Sequence, residues 1–260
     1  MGNRRVSFAI CVLMVTVATV RAEAQNNTNI GELSIAAWSP TPELVLQSGS
    51  LTAATGIAEV DFVREFGIEN KTFPEFRFAV GRGHKFRFSH VPVQYDAETI
   101  VQRTITFRGR TFAVGIPAST DIKWDLWRFG YEWDFVSIER GYVGVITELK
   151  YNRLDASIAS TVLAETVATE QKAPVPTIGV AGRVYPHPLV AISGEFGGMK
   201  VAFGDFEGKF VDFDVNGAVT LGRYIGVQGG YRVVTVHYVI DDDIGDLKLK
   251  GPYIGAVVKF

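Results

Sequence analysis

The sequence predicts an all-β fold: a closed antiparallel, up-and-down transmembrane β-barrel of about ten strands, with eight and twelve as alternatives. Three observations lead there. From residue 30 onward, apolar and polar residues alternate with period two in one segment after another, the pattern of strands whose two faces meet different surroundings. The connections between these segments are alternately short and long, as in a membrane barrel with two different ends. The last segment, Gly251 to Phe260, puts Ile254, Ala256, Val258 and Phe260 on one face, with Tyr253, Gly255, Val257 and Lys259 on the other. A strand that is apolar on one side up to its final residue suits a sheet closed by that strand.

Composition narrows the class. A chain of 260 residues makes one large domain or two small ones. The net charge of −2 and the lack of a basic block exclude a nucleic-acid surface, so no nucleic-acid partner is expected. Cys11 is the only cysteine. It falls in a segment expected to be removed, which leaves no disulfide, thiolate metal site or thiol chemistry.

The chain begins with Arg4 and Arg5, a mostly apolar run from Phe8 to Val20, and Ala22-Glu23-Ala24. This is the layout of a signal peptide over residues 1–24, cleaved before a barrel domain spanning 25–260. The apolar run is too short for a membrane helix, and no lipobox surrounds Cys11. An exported chain is expected.

The strands follow in order. In Ile30 to Trp38, Leu33, Ile35 and Ala37 oppose Glu32, Ser34 and Ala36. A long polar connection over 39–71 follows, and 56–65 within it reads as an added strand pair or a misplaced membrane strand. Phe76, Phe78 and Val80 then oppose Glu75, Arg77 and Ala79, and the turn Arg82-Gly83-His84 leads to Phe86, Phe88 and His90 opposite Arg87 and Ser89. In the connection over 96–120, Thr104–Phe107 and Thr111–Val114 flank Arg108-Gly109-Arg110 and read as a projecting hairpin. From Asp125 to Phe135, five aromatics share one face. After a turn at Glu139-Arg140-Gly141, Val143 to Tyr151 alternates against Glu148 and Lys150.

A third long connection, partly helical in one reading, is expected over 153–174. Ile178, Val180 and Val184 oppose Arg183, and Pro186-His187-Pro188 turns into Val190, Ile192 and Phe196 opposite Ser193 and Glu195. After a shorter loop at 200–207, Val211 to Leu221 alternates against Asp212, Asp214, Asn216 and Thr220. Gly222-Arg223-Tyr224 leads to Val227, Tyr231 and Val233 opposite Gln228 and Arg232, and the acidic tip Asp241-Asp242-Asp243 precedes the last strand. Proline weakens a ladder, so Pro74 is placed at a strand start and Pro92 near a loop rim.

The charged face gathers Glu32, Glu75, Glu132, Glu148, Glu195, Asp212 and Asp214 with Arg77, Arg87, Arg128, Lys150, Arg183, Arg232 and Lys259. The signs balance, and arginine outnumbers lysine, which suits forked pairing in a confined space. The opposite face carries Phe76, Phe78, Phe86, Phe88, Trp127, Phe129, Tyr131, Trp133, Phe135, Phe213, Tyr231 and Phe260. Such a set would crowd a small barrel inside but suits lipid outside. The expected arrangement is therefore aromatics facing lipid and charges forming a lumen network. Ten strands enclose a narrow interior, and ionised groups there must pair, so a plugged lumen is expected.

The terminal strand resembles that of bacterial outer-membrane β-barrels, which end in Phe after alternating apolar residues. The strand pattern over 30–260 resembles the small OmpA- and OmpW-type barrels. The resemblance implies a place in the outer membrane, contact with its lipid, and recognition of Gly251–Phe260 by the barrel-assembly machinery. It carries no functional residue.

The leading reading is a structural or binding protein whose long loops meet an unidentified extracellular ligand or partner. A narrow channel is the first alternative and a rim-located hydrolase the second. For the hydrolase, ten strands with long loops also resemble the omptin proteases, and Asp212, Asp214 and His237 are the candidates, though no Asp-x-His partner is present. A lipid A deacylase resemblance fails at Ser89-His90, whose adjacent side chains face opposite ways. No catalytic residue, cofactor or metal is expected. The four histidines lack ligand spacing, and Asp241 to Asp243 read as a solvated tip.

Overall fold

The computed structural model describes residues 29–47, 59–107, 110–203, 206–240 and 243–260. The predicted signal segment lies outside the described residues, as do Asp241 and Asp242. In order, the elements are β1 (Gly31–Trp38), β2 (Thr41–Gln47), β3 (Glu59–Asp61), α1 (Phe62–Phe66), β4 (Phe73–Arg82), β5 (His84–Ile100), β6 (Ile105–Phe107), β7 (Arg110–Phe112), β8 (Pro117–Ile138), β9 (Gly141–Ser160), β10 (Glu165–His187), β11 (Val190–Phe203), β12 (Phe206–Leu221), β13 (Ile225–Ile240) and β14 (Asp243–Lys259).

Ten strands form a closed antiparallel barrel in the order β1-β4-β5-β8-β9-β10-β11-β12-β13-β14, and pairing of β1 with β14 closes the ring. The seam registers Leu33 with Val258, Ile35 with Ala256 and Ala37 with Ile254. Gly31 N donates to Phe260 O at 2.8 Å, and Phe260 N donates to Gly31 O at 3.0 Å. The final residue is thus tied into the closing ladder.

One end carries tight turns. Gly83 (φ 67°) and Gly222 (φ 82°) take the left-handed backbone that two of these turns need. At the other end β2 continues the line of β1 beyond a break at Ser39-Pro40 and pairs with β14, and β3 pairs with β2. Helix α1 follows. Asp61 caps it by accepting from Arg64 N at 3.0 Å, and Gly67 ends it in the left-handed region. The expected hairpin in the second connection is β6–β7, with Thr106 opposite Thr111.

Two expectations are corrected. Residues 153–174 are not a loop with a helix. β9 and β10 stay paired from Gly141↔Val184 up to Ser160↔Glu165. The alternation continues there, but its outward side carries Arg153, Asp155, Glu170 and Lys172 and its inward side is mostly small or aliphatic, so it departs from the pattern below. Pro92 is not at a strand end either, because it lies inside β5 opposite Asp125.

The larger correction concerns the faces. Charges inside and apolar residues outside hold for only half the barrel. On β8 the inward side runs Asp134, Glu132, Arg128 and then Leu126, Trp124, Ile122 and Ala118, all of them buried. Its outward side runs Phe135, Trp133, Tyr131, Phe129, Trp127 and then Asp125, Lys123 and Asp121. β9 repeats the change: Glu148, Lys150 and Asn152 lead to Leu154, Ala156 and Ile158 inside, while Leu149 and Tyr151 lead to Arg153 and Asp155 outside. The half nearer the tight turns is built like a membrane barrel and the far half like a soluble one.

The far half therefore has an apolar core. Trp38, Leu44, Phe62, Tyr95, Phe112, Ile122 and Ile158 belong to one buried cluster. The excursions fill it from within. Phe62 meets Phe107 edge-on at 5.6 Å between centroids, and Phe73 meets Tyr95 at 5.1 Å. The polar handles at its border are satisfied: Trp38 Nε1 donates to Gly251 O at 3.1 Å, and Tyr95 Oη to Pro40 O at 3.2 Å.

Candidate functional site

The lumen of the tight-turn half holds the charged residues. Period-two alternation on each strand aims them inward, and the barrel's curvature brings distant strands together. Glu75 on β4 accepts from Arg77 Nε at 2.7 Å and Nη2 at 2.9 Å. Arg77 Nη2 also donates to Asp214 on β12 at 2.9 Å. Arg232 on β13 donates through Nε to Asp214 at 3.1 Å and pairs with Glu75. Tyr253 Oη adds a bond to Asp214 at 2.8 Å. Arg232, Glu75 and Asp214 are at most 2% exposed, so their charges are compensated by one another and not by bulk water.

A second group joins Arg87 to Glu132 at 2.7 Å and to Glu195 on β11. Lys85 reaches Glu132 at 2.7 Å and Asp134 at 2.8 Å, and sits 3.4 Å from the centre of the Tyr142 ring. A third group centres on Asp212, which pairs with Arg128 and with Lys150 at 3.1 Å. Glu148 lies 3.3 Å from Lys150 and 3.5 Å from Arg128. Lys150 Nζ faces the Phe210 ring at 4.4 Å, where the ionic layer meets the apolar core. Nearest the tight turns, Arg183 forks onto Glu32 at 2.7 and 3.2 Å, and Lys259 Nζ donates to Thr220 Oγ1 at 3.2 Å.

All fourteen charged residues singled out from sequence lie in this lumen, where these contacts bring them into four neighbouring groups. Lys85 and Asp134 were missed. Both share a face with residues that were named, Lys85 with Arg87 and Asp134 with Glu132, so the alternation carried the signal. A polar cavity of about 130 Å³, lined by Glu32, Arg77, Arg87, Arg183 and Lys259 among others, lies within this layer.

The twelve aromatics named for the outer surface lie on the outward side. Phe86, Phe129, Trp133, Phe135 and Phe260 are about half exposed or more. Phe88 packs on Phe129 at 5.2 Å and Phe78 on Phe260 at 6.4 Å, which lowers their exposure. His90 lies against Trp127 at 3.7 Å and joins this surface.

The hydrolase candidates are not brought together. Asp212 and Asp214 are buried in the lumen and not at the rim. His237 is on the outward face of β13, bonded to Asp246 at 2.7 Å. Ser89 faces in and is buried, while His90 faces out, 3.4 Å from Asp125. Among the described residues, no group of three or more His, Cys, Asp and Glu side chains is placed to hold a metal ion. The side chains at the Asp241–Asp243 tip fall outside that description.

No protein-family model and no curated protein sequence matches the chain. Solved structures do. The outer membrane protease OmpT from Escherichia coli aligns with TM-score 0.56 at 8% identity, covering 90% of this chain and 97% of that one. The translocator domain of the autotransporter NalP from Neisseria meningitidis gives 0.42 at 9% identity over 91% and 90%. Ail, the attachment invasion locus protein of Yersinia pestis, gives 0.39 at 11% over 89% and 99%. The chain has the fold of the bacterial outer-membrane β-barrels. At such low identity the likeness is one of fold.

Proposed function

We propose that the chain is an integral outer-membrane protein with a closed lumen and a structural or binding role exercised through its long-hairpin end. The observation that carries this is the stacking of two different seals along one axis. An ionic layer of cross-lumen pairs lies beneath an apolar core that β2, β3, α1 and the β6–β7 hairpin help to fill. Ions need a continuous wet path, and the core removes it. The polar cavity in the ionic layer lies below that core, so this reading places it in a dead end.

The same reading orients the protein. The tight turns face the periplasm and the long hairpins face outward. The band of aromatics contacts lipid, and β14 is the strand that the assembly machinery engages. Catalysis is not assigned, because Asp212 and Asp214 are each committed to two cationic partners.

Planar-bilayer recording tests the reading. The purified mature barrel is expected to insert without steady single-channel openings. Reproducible ion-selective steps would overturn the closed lumen and favour a narrow channel.

A further inference from the structure

The barrel wall is not complete on every side. β10 and β11 pair from their shared turn only as far as Ile178↔Gly198. Beyond that point β10 continues with β9 to Glu165, and β11 continues with β12 to Phe203. Among the described residues the two strands form no ladder above 178 and 198, so the wall splits there. Pro174 and Pro176 sit on the β10 lip. They bring no N–H donor, which suits a strand edge that is meant to remain unpaired.

Behind the split lies a cavity of about 150 Å³ lined by Trp124, Leu154, Val175, Phe210, Val236 and Leu247, among others. Of its polar neighbours, Asn152 Oδ1 accepts from Trp124 Nε1 at 3.1 Å, Lys172 pairs with Glu170 at 2.6 Å and His237 with Asp246 at 2.7 Å, and Gln171 and Lys209 also reach its wall. A mostly apolar space of this size has room for an apolar guest of about six carbons.

The height of the split is set by the outer surface. On β10 the outward residues run Val184, Val180, Ile178, Pro176, Pro174 and then Lys172. On β12 they run Val219, Val215, Phe213, Val211 and then Lys209, and on β11 Ile192 and Phe196 lead to Lys200. The split therefore starts at the upper edge of the apolar band, with the first lysines on both lips just above. Lys200 stands directly opposite Lys209 in the ladder. Lys200 is paired with Glu207 and Lys172 with Glu170, each at 2.6 Å, which leaves Lys209 as the lysine in excess over these carboxylates, and an anionic headgroup balances it.

We propose that this split admits an acyl chain of an anionic lipid sideways from the surrounding leaflet. The chain end occupies the cavity behind β10, and the headgroup lies at Lys209, beside the Lys200–Glu207 and Lys172–Glu170 pairs. The site is independent of the closed axial lumen, because its entrance is through the wall.

Photolabelling tests it. The full mature barrel is reconstituted in phosphatidylcholine vesicles containing a phosphatidylglycerol probe with a diazirine near the end of one acyl chain. Adducts are mapped by mass spectrometry. Labelling of inward residues such as Trp124, Val175, Phe210 and Val236 is expected, and labelling confined to outward residues such as Phe196 and Phe213 overturns the proposal. Ala173→Trp, which fills the cavity, should abolish inward labelling and leave outward labelling intact. Persistent inward labelling in that variant overturns the site. The headgroup is tested with a phosphatidylcholine probe. Lys209→Gln should lower the preference for the anionic probe by roughly fivefold. Equal inward labelling by both probes in the unaltered protein overturns the anionic part. Heat-modifiable electrophoretic mobility checks that each variant is folded.

Discussion

Arg183 and Glu32 join across the full width of the barrel: Nη1 of one lies 2.7 Å from Oε2 of the other. β10 and β1, which carry them, are five strands apart in either direction around the ring. A direct contact between such strands means that two side chains span the lumen. Both are about one-fifth to one-quarter exposed, so the pair is partly screened. Replacing each by Ala, singly and together, in urea titrations of the vesicle-bound barrel should give a coupling energy of about 1–3 kcal/mol. A coupling near zero would mean that the two side chains do not bridge in the membrane.

Arg232 should matter more. It is 1% exposed and serves both Glu75 and Asp214. Arg232→Ala leaves two buried carboxylates short of a cation, and removing one partner from such a network costs about 3–5 kcal/mol. The loss should exceed that of Arg183→Ala in the same titration. A smaller loss would show that water reaches the centre of the network.

The change of polarity along the wall can be measured on one strand. Phe129 and Lys123 share the outward side of β8, on either side of that change. Phe129→Arg should destabilise by about 2–4 kcal/mol, the cost of a cation facing mid-bilayer. Lys123→Ala should stay within about 0.5 kcal/mol. Similar values for both would place the bilayer elsewhere.

The upper seal depends on aromatic packing. Phe62 has no exposure and packs on Phe66 and Phe107. Phe62→Ala should cost about 3–5 kcal/mol and raise protease sensitivity of the long-hairpin end before that of the membrane strands. Uniform sensitivity along the chain would contradict a separately packed upper core.

Glu43 lies on β2, outside the membrane-spanning segments. A hydrogen bond from Lys250 holds its carboxyl below the ordinary value of 4.5, with Lys248 adding to this and burial opposing it. Because the folded pKa is the lower one, the stabilisation is present above 4.5 and is lost as pH falls through the depressed value. An NMR titration of the carboxyl should find a midpoint below 4.5, and Lys250→Gln should raise it. An unshifted midpoint would mean that the 2.6 Å contact is not maintained in solution.

Much of the lower barrel was legible because its chemistry is local. Trp127 to Phe135 alternate strictly, and the partners of Arg128 and Glu132 had to be inside whichever residues they proved to be. The upper half was harder for the same reason. Leu154, Ala156 and Ile158 lie on the inward side, where Glu148 and Lys150 had set an expectation of charge. A period-two pattern keeps its period when its polarity reverses, so 153–174 passed for a loop. Lys85, beside a turn where alternation is shortest, was left out of the expected lumen set, and so was Asp134, although the alternation puts it on the face of Arg128 and Glu132.

The sequence by itself determined that strands would alternate, that the last would be apolar to its end, and that opposite charges would share one face. These follow from a side-chain period of two and from the cost of leaving ions unpaired. Only the tertiary structure decided which ions meet, where the faces exchange roles, and where the wall parts. Those depend on closure of the ring, which brings β1 opposite β10 and sets how far each neighbouring pair of strands stays joined. Such distances are not recorded in any one segment.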